Sequence, residues 1–310
     1  MLSLVAPGNI LFADPQEETG RHRLCEGFSM EGFAAGGLGW QPDLKDSRDY
    51  QPDHPVIREL LQELGPARLR QRRLPTSMDL REYFSAARNQ GNLNASTAFA
   101  VLSLVEYFDA RAKGRVLEAS RLFLYQMTMK LLGLVGNAAV DQRSTFKALV
   151  RFGSPPDTYW PYAVDRFHVV PTDPFLFSFA REYEDIHFFR LDDADREKNL
   201  QTIKSYLAAG FAVTFGFPVP SSMRGEADIP FRPQFDSIRG GQAVLAVGYD
   251  DKRRIASETG ALLFRSSWGS RWGDDGYGWL PYNYVTQGFA LDFWTMLRTD
   301  WAKSGILNRP

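Results

Sequence analysis

The chain has 310 residues, 44% of them hydrophobic, and carries Lys+Arg 36 against Asp+Glu 37. That length supports roughly two domains or one large two-lobed one with a sizeable core, and the balanced charge excludes a nucleic-acid or acidic-membrane binder working through a basic surplus. No apolar run approaches the roughly 18 residues of a membrane span, residues 1–20 lack the basic start and apolar core of a secretory signal, and Cys25 as the only cysteine precludes an intrachain disulfide, so a reducing, cytoplasmic setting is the expectation.

Residues 1–32 give little pattern. The stretch Gly36 to Tyr50 is rich in Gly, Pro and Asp and reads as extended chain and turns, in which Trp40 and Tyr50 need something to pack on. Val56 to Leu64 reads as a short helix with Leu60, Leu61 and Leu64 on one face and Gly65-Pro66 as its stop. Arg68, Arg70, Arg72 and Arg73 follow, either as a solvated linker or as a processing site. Next, a polar loop, Gln90 to Ala95, runs into the apolar segment Ala98 to Phe108, whose spacing is helical and whose stop is Lys113-Gly114. Ser96 falls in the first turn of that helix. Two readings fit: Asn94 or Ser96 caps a core helix, or Ser96 sits where backbone N–H groups and the helix dipole lower the pKa of a nucleophile.

A second helix begins at Ser120 to Tyr125, and a third spans Arg143 to Phe152 before Gly153 and Pro155-Pro156. The second half changes character. Ile186 to Leu191, Phe211 to Phe217, Ala243 to Tyr249 and Ala261 to Arg265 are short apolar runs bounded by Gly, Pro or Asp and read as strands, with a helix over Leu200 to Ala209. A helical half followed by a strand-rich half is α+β order, with a cleft expected between them.

Several stretches resemble the papain-like cysteine peptidases, in the form seen in bacterial members. Gln90-Gly91 and Ser96-Thr97-Ala98-Phe99 are similar to the oxyanion-hole glutamine and the nucleophile segment. Gly36 to Tyr50 resembles the segment before the mature domain, Leu74 to Arg81 its opening, and Tyr159-Trp160-Pro161-Tyr162 a further family segment. Gly241-Gln242-Ala243-Val244 to Tyr249 resembles the strand that carries the catalytic histidine, and Ser266-Ser267-Trp268-Gly269 with Trp272-Gly273 the segment that carries the orienting asparagine. The resemblance implies a papain-like two-lobed fold. It divides into a pro-like segment over 1–73 and a papain-like domain over 74–310, helical over about 74–165 and β-barrel-like over about 166–310.

The resemblance also locates what is missing. The nucleophile, histidine and asparagine positions hold Ser96, Gln242 and Ser266, and only Gln90 matches the family's site. A serine hydroxyl is a weak nucleophile without a base, and a glutamine amide cannot titrate. Three replacements exceed the single change made to inactivate an enzyme for crystallography, so they point to natural loss. None of His22, His54, His168 and His187 falls in these motifs. The cleft wall is expected to include Gly241, Trp268, Trp272 and either Ala139 or Val140, the latter two where the family keeps a glycine for peptide approach. These features imply a pseudopeptidase acting by binding or scaffolding a protein partner, with no metal and no cofactor. The alternatives are a repurposed cleft that handles a small molecule or carrier-bound acyl group, and a slow serine hydrolase.

Overall fold

A computed structural model describes residues 38–63, 73–114 and 118–303. His22, Cys25 and the arginines at 68, 70 and 72 lie outside them. Helix α1 (Pro55–Glu63) buries Ile57 and Leu60, while Leu61 is only partly buried. Strand β1 (Ser77–Asp79) follows, then α2 (Ser96–Lys113), in which every residue from Ser96 to Phe108 is buried. A helix buried all round is a core element, and its stop is Gly114 in the left-handed conformation. Helix α3 (Arg121–Leu132) starts on Ser120, whose hydroxyl accepts from the Phe123 N–H. Helix α4 (Gln142–Phe152) starts on Asp141, which accepts from the Ser144 N–H.

The remaining elements are α5 (Pro174–Phe177), β2 (Ile186–Arg190), α6 (Arg196–Ala208), β3 (Val213–Pro220), β4 (Ile238–Ile255), β5 (Glu258–Arg265), β6 (Tyr277–Pro281), α7 (Asn283–Thr286), β7 (Leu291–Arg298) and α8 (Thr299–Lys303). The strands form one seven-stranded sheet in the order β2-β7-β3-β4-β5-β6, with β1 paired to β4. All the strand pairings are antiparallel. The α+β order read from the sequence is therefore the observed one. Although β1 precedes helices α2 to α4, it belongs to the sheet, because Leu80 N–H and residues Ser77 to Asp79 bond to β4.

Three strands were not legible: the short β1, β6 and β7. In β7, seven consecutive residues are buried, so it has no alternation to detect. In β6, Gly278 interrupts an aromatic run. The apolar run Ala243 to Tyr249 is only the middle of β4, whose polar ends extend into hairpins. Helix α2 packs across β4, and this contact sets the site: it brings the first turn of α2 against residues 242 and 243.

Candidate functional site

Ser96, Gln90 and Gln242 are all fully buried and lie together. Ser96 does not cap its helix. The cap position is Ala95, with no side-chain cap bond, and the Ser96 hydroxyl instead accepts from the backbone N–H of Ala243 at 3.1 Å. Asn94 does not cap it either; its side-chain amide donates to the Asn137 carbonyl at 2.8 Å. Gln90 is held in place by pairing of residues 88–90 with 267–269, including Gln90 N–H to the Ser267 carbonyl at 2.8 Å. Its side-chain oxygen accepts from Gln242 Nε2 at 3.1 Å and from the Ser267 hydroxyl. Gln242 Nε2 also donates to Ser267 Oγ at 2.9 Å. Its Oε1 is buried without a partner among the described residues.

Ser266 stands apart from this circuit. Its hydroxyl bonds the Gly276 carbonyl at 2.9 Å and accepts from Trp268 N–H at 3.3 Å. The serine that touches Gln242 is Ser267, one residue further on, which the motif contains but sequence reasoning passed over. The described histidines lie elsewhere. His54 stacks on Tyr50 with centroids 3.9 Å apart, His187 faces Asp185 on the edge strand β2, and His168 is exposed. Among the described residues, none is hydrogen-bonded to Ser96 or Gln242.

The segment Leu38 to Asp43 lies across this site as a strap. Gln90 Nε2 donates to the Leu38 carbonyl at 2.7 Å. On the strand side, Gly39 and Trp40 N–H groups both reach the Gly241 carbonyl at 2.9 Å. On the helical side, Val140 N–H donates to the Gly39 carbonyl at 3.0 Å and Gln41 N–H to the Val140 carbonyl at 3.2 Å. Val140, not Ala139, is thus the wall residue that pairs with extended chain. The Trp40 ring is 5% exposed. It fits because two neighbours lack side chains: a Cβ on Gly216 would lie 2.0 Å from the ring, and one on Gly241 2.2 Å from the Trp40 carbonyl.

A family model of papain family cysteine proteases matches residues 195–290, the part that contains Gln242 and the Ser266 to Gly273 segment. The solved structure of xylellain, a cysteine protease from Xylella fastidiosa, superposes with a TM-score of 0.69 at 28% identity, over 87% of this chain and 99% of that one. The fold is papain-like. A digestive procathepsin L 3 from Tenebrio molitor larval midgut shares it at a TM-score of 0.54 and 18% identity, over 77% of this chain and 78% of that one. An uncharacterized peptidase C1-like protein, L477 of Acanthamoeba polyphaga mimivirus, is 27% identical over 217 residues, 66% of this chain and 68% of its own length.

Beneath the strap, the papain-like cleft is floored by ionisable groups. The Trp40 indole N–H donates to Asp292 Oδ2 at 3.0 Å, and Asp43 N–H to the same oxygen at 3.1 Å. Asp292 adopts φ 58°, in the left-handed region. Its other oxygen meets the Arg190 guanidinium, which also contacts Asp43, Asp49 and Asp192. Arg143 bonds Asp43 and Asp49. Burial, and then the neighbouring Asp43 charge, push the Asp292 carboxyl up to about 8 against the pull of Arg190. Burial likewise raises Asp43 and Asp192. No spacing motif marks this cluster, because its members come from the strap and the turn after it, α4, β2 and the loop after it, and β7. Trp268 and Trp272 pack edge to face at 4.6 Å between centroids beside Ser267. Among the described residues, no group of His, Cys, Asp and Glu is arranged to hold a metal ion.

Proposed function

We propose that this papain-like chain is a catalytically inactive pseudopeptidase that acts by binding a protein partner, with its cleft closed by its own strap. One observation carries the reading: the circuit Gln242–Gln90–Ser267 stands where a proton acceptor would have to be, and an amide cannot take a proton at neutral pH. Ser96 Oγ accepts the Ala243 N–H, and no imidazole among the described residues is placed to remove its proton. The Gln90 amide donates to Leu38, so the donor expected to stabilise an oxyanion is already engaged.

A repurposed small-molecule cleft has less support. The cavity beside Gln242, lined by Phe99, Ala100, Ala243, Ser266 and Ser267, has about 10 Å³, room for one water. Ligand pockets run to roughly 300–1,000 Å³. The test is treatment of the full chain with a fluorophosphonate and with a thiol-directed epoxide, followed by intact-mass analysis, alongside assays on mixed fluorogenic peptides. No adduct at Ser96 and no turnover is the expected result. A covalent mass shift on Ser96 would overturn it in favour of slow serine hydrolysis.

A further inference from the structure

We propose that the carboxylates beneath Trp40, clustered on Arg190, form a proton-operated latch that holds the strap in the cleft and releases it as the pH rises. The latch rests on the strap's own contacts, whatever the chemistry of Ser96.

With the strap set aside, the floor is balanced: Arg143 and Arg190 face Asp192 and Asp292. Docking adds Asp43 from the strap and Asp49 from the turn that follows it, both with side chains under a tenth exposed. The closed site then holds four carboxylates against two guanidiniums. Asp141 at the start of α4 and Lys45 just after the strap are the other charged groups that act on these carboxylates. Geometry shows where the surplus collects. Asp292 Oδ2 receives the Trp40 and Asp43 N–H groups, while Asp43 sends Oδ1 to Arg190 and Arg143. The remaining oxygen, Asp43 Oδ2, is buried with no partner among the described residues. Two buried carboxyls that both lean on Arg190, in a site of four carboxyls and two guanidiniums, cannot both stay charged cheaply, so the pair holds a proton.

The sign follows from linkage. The docked pKa of Asp292 is raised to about 8. With the strap out, it loses the Asp43 neighbour and meets water, so its pKa falls toward the ordinary carboxylate range. Docking therefore takes up a proton. It is strongest below the undocked pKa, weakens as pH rises through the window up to about 8, and levels off above. One proton limits the slope to about tenfold per pH unit.

The test is amide hydrogen exchange of residues 38–43 in the full chain across pH 6 to 9, corrected for the intrinsic pH dependence of exchange, with α2 amides as the reference. Strap protection should fall by more than about tenfold below pH 8 and then flatten, with α2 unchanged. Asp292→Asn keeps an acceptor for the Trp40 indole and cannot titrate, so its strap protection should be level across the range. Asp43→Asn provides the same readout from the strap side. A level wild-type profile, a fall shared equally by α2, or an unchanged slope in both variants would overturn the latch.

Discussion

The side-chain amide of Gln90 lies 2.7 Å from the carbonyl oxygen of Leu38, 52 residues earlier in the chain. The group expected to polarise a substrate carbonyl holds one of the chain's own. Anything that enters this cleft must first displace that carbonyl, together with the backbone pairing to Gly241 and Val140.

Trp40 is the strap's anchor. Trp40→Ala empties a slot shaped by Gly216 and Gly241 and leaves Asp292 without its indole donor. Large aromatic truncations in well-packed sites cost about 3–5 kcal/mol. On the proposed latch the strap detaches locally, so the loss should appear first as protease cleavage within residues 38–50, before any change in the main thermal transition. An intact strap in the variant under limited proteolysis would show that backbone pairing alone holds it.

Gly216→Ala attacks the same contact from the opposite side. The new methyl would lie 2.0 Å from the indole, and the ring is wedged between β3 and Gly241 with nowhere to yield. We expect amides 40 and 41 to lose exchange protection while α2 keeps its own. Retained protection would mean that the strap does not pack on β3.

Much of this was legible in the sequence, for reasons tied to particular residues. Helix α2 announces itself because its apolar run is long and ends on Gly114. Gln90, Ser96 and Gln242 could be brought together on paper because the segments around them resemble a known family. The need of Trp40 and Tyr50 for a packing surface was also readable, since a short segment has no core of its own. The floor was not. Asp43, Asp49, Arg143, Arg190, Asp192 and Asp292 come from separated elements, each looking like an ordinary surface charge until the sheet order places β2 beside β7. Ser267 was missed for a different reason. Its neighbour Ser266 occupies the motif position, and only the backbone geometry decides which hydroxyl faces Gln242.

Restoring the three family residues should not restore an enzyme. Ser96→Cys, Gln242→His and Ser266→Asn together supply a thiol and an imidazole, but position 266 points at the Gly276 carbonyl, not at residue 242. The strap still covers the site, held by its backbone pairing to Val140 and Gly241. Cleavage of fluorogenic peptides should stay near background and rise only modestly when Gly216→Ala is added. Robust turnover by the triple variant alone would show a cleft still shaped for peptides.

Arg190→Met removes the cation that contacts four carboxylates while keeping its volume. Breaking such a buried pair costs about 3–5 kcal/mol. The size should depend on pH. The Asp43 and Asp192 carboxyls are raised by burial and Asp292 to about 8, so acid neutralises them and relieves the repulsion. Urea unfolding should therefore show a smaller loss at pH 5 than at pH 8.5. Equal losses would place the cost in packing over the Trp294 ring, which lies 5.1 Å below the guanidinium.

Removing the N-terminal segment tests whether it belongs to the folded body. A chain beginning at residue 51 loses Trp40, the Leu38 carbonyl on Gln90, and the Tyr50 carbonyl that accepts from Arg190 N–H at 2.8 Å. One beginning at Leu74 also loses α1, whose Ile57 is fully buried and which packs on β7 and α8. Both should melt lower and be less soluble than the full chain, the second more so. The charges work against this loss. Deletion removes Asp43 and Asp49 and leaves Arg143 and Arg190 matched by Asp192 and Asp292. The deficit of the shorter chains should thus be largest near pH 5, where the docked carboxyl pair carries its proton, and should shrink as pH rises to about 8 and level off above. Melting curves of the three chains at pH 5, 7 and 9 would show this convergence. A chain beginning at Leu74 that matched the full chain at every pH would make the segment a detachable relic.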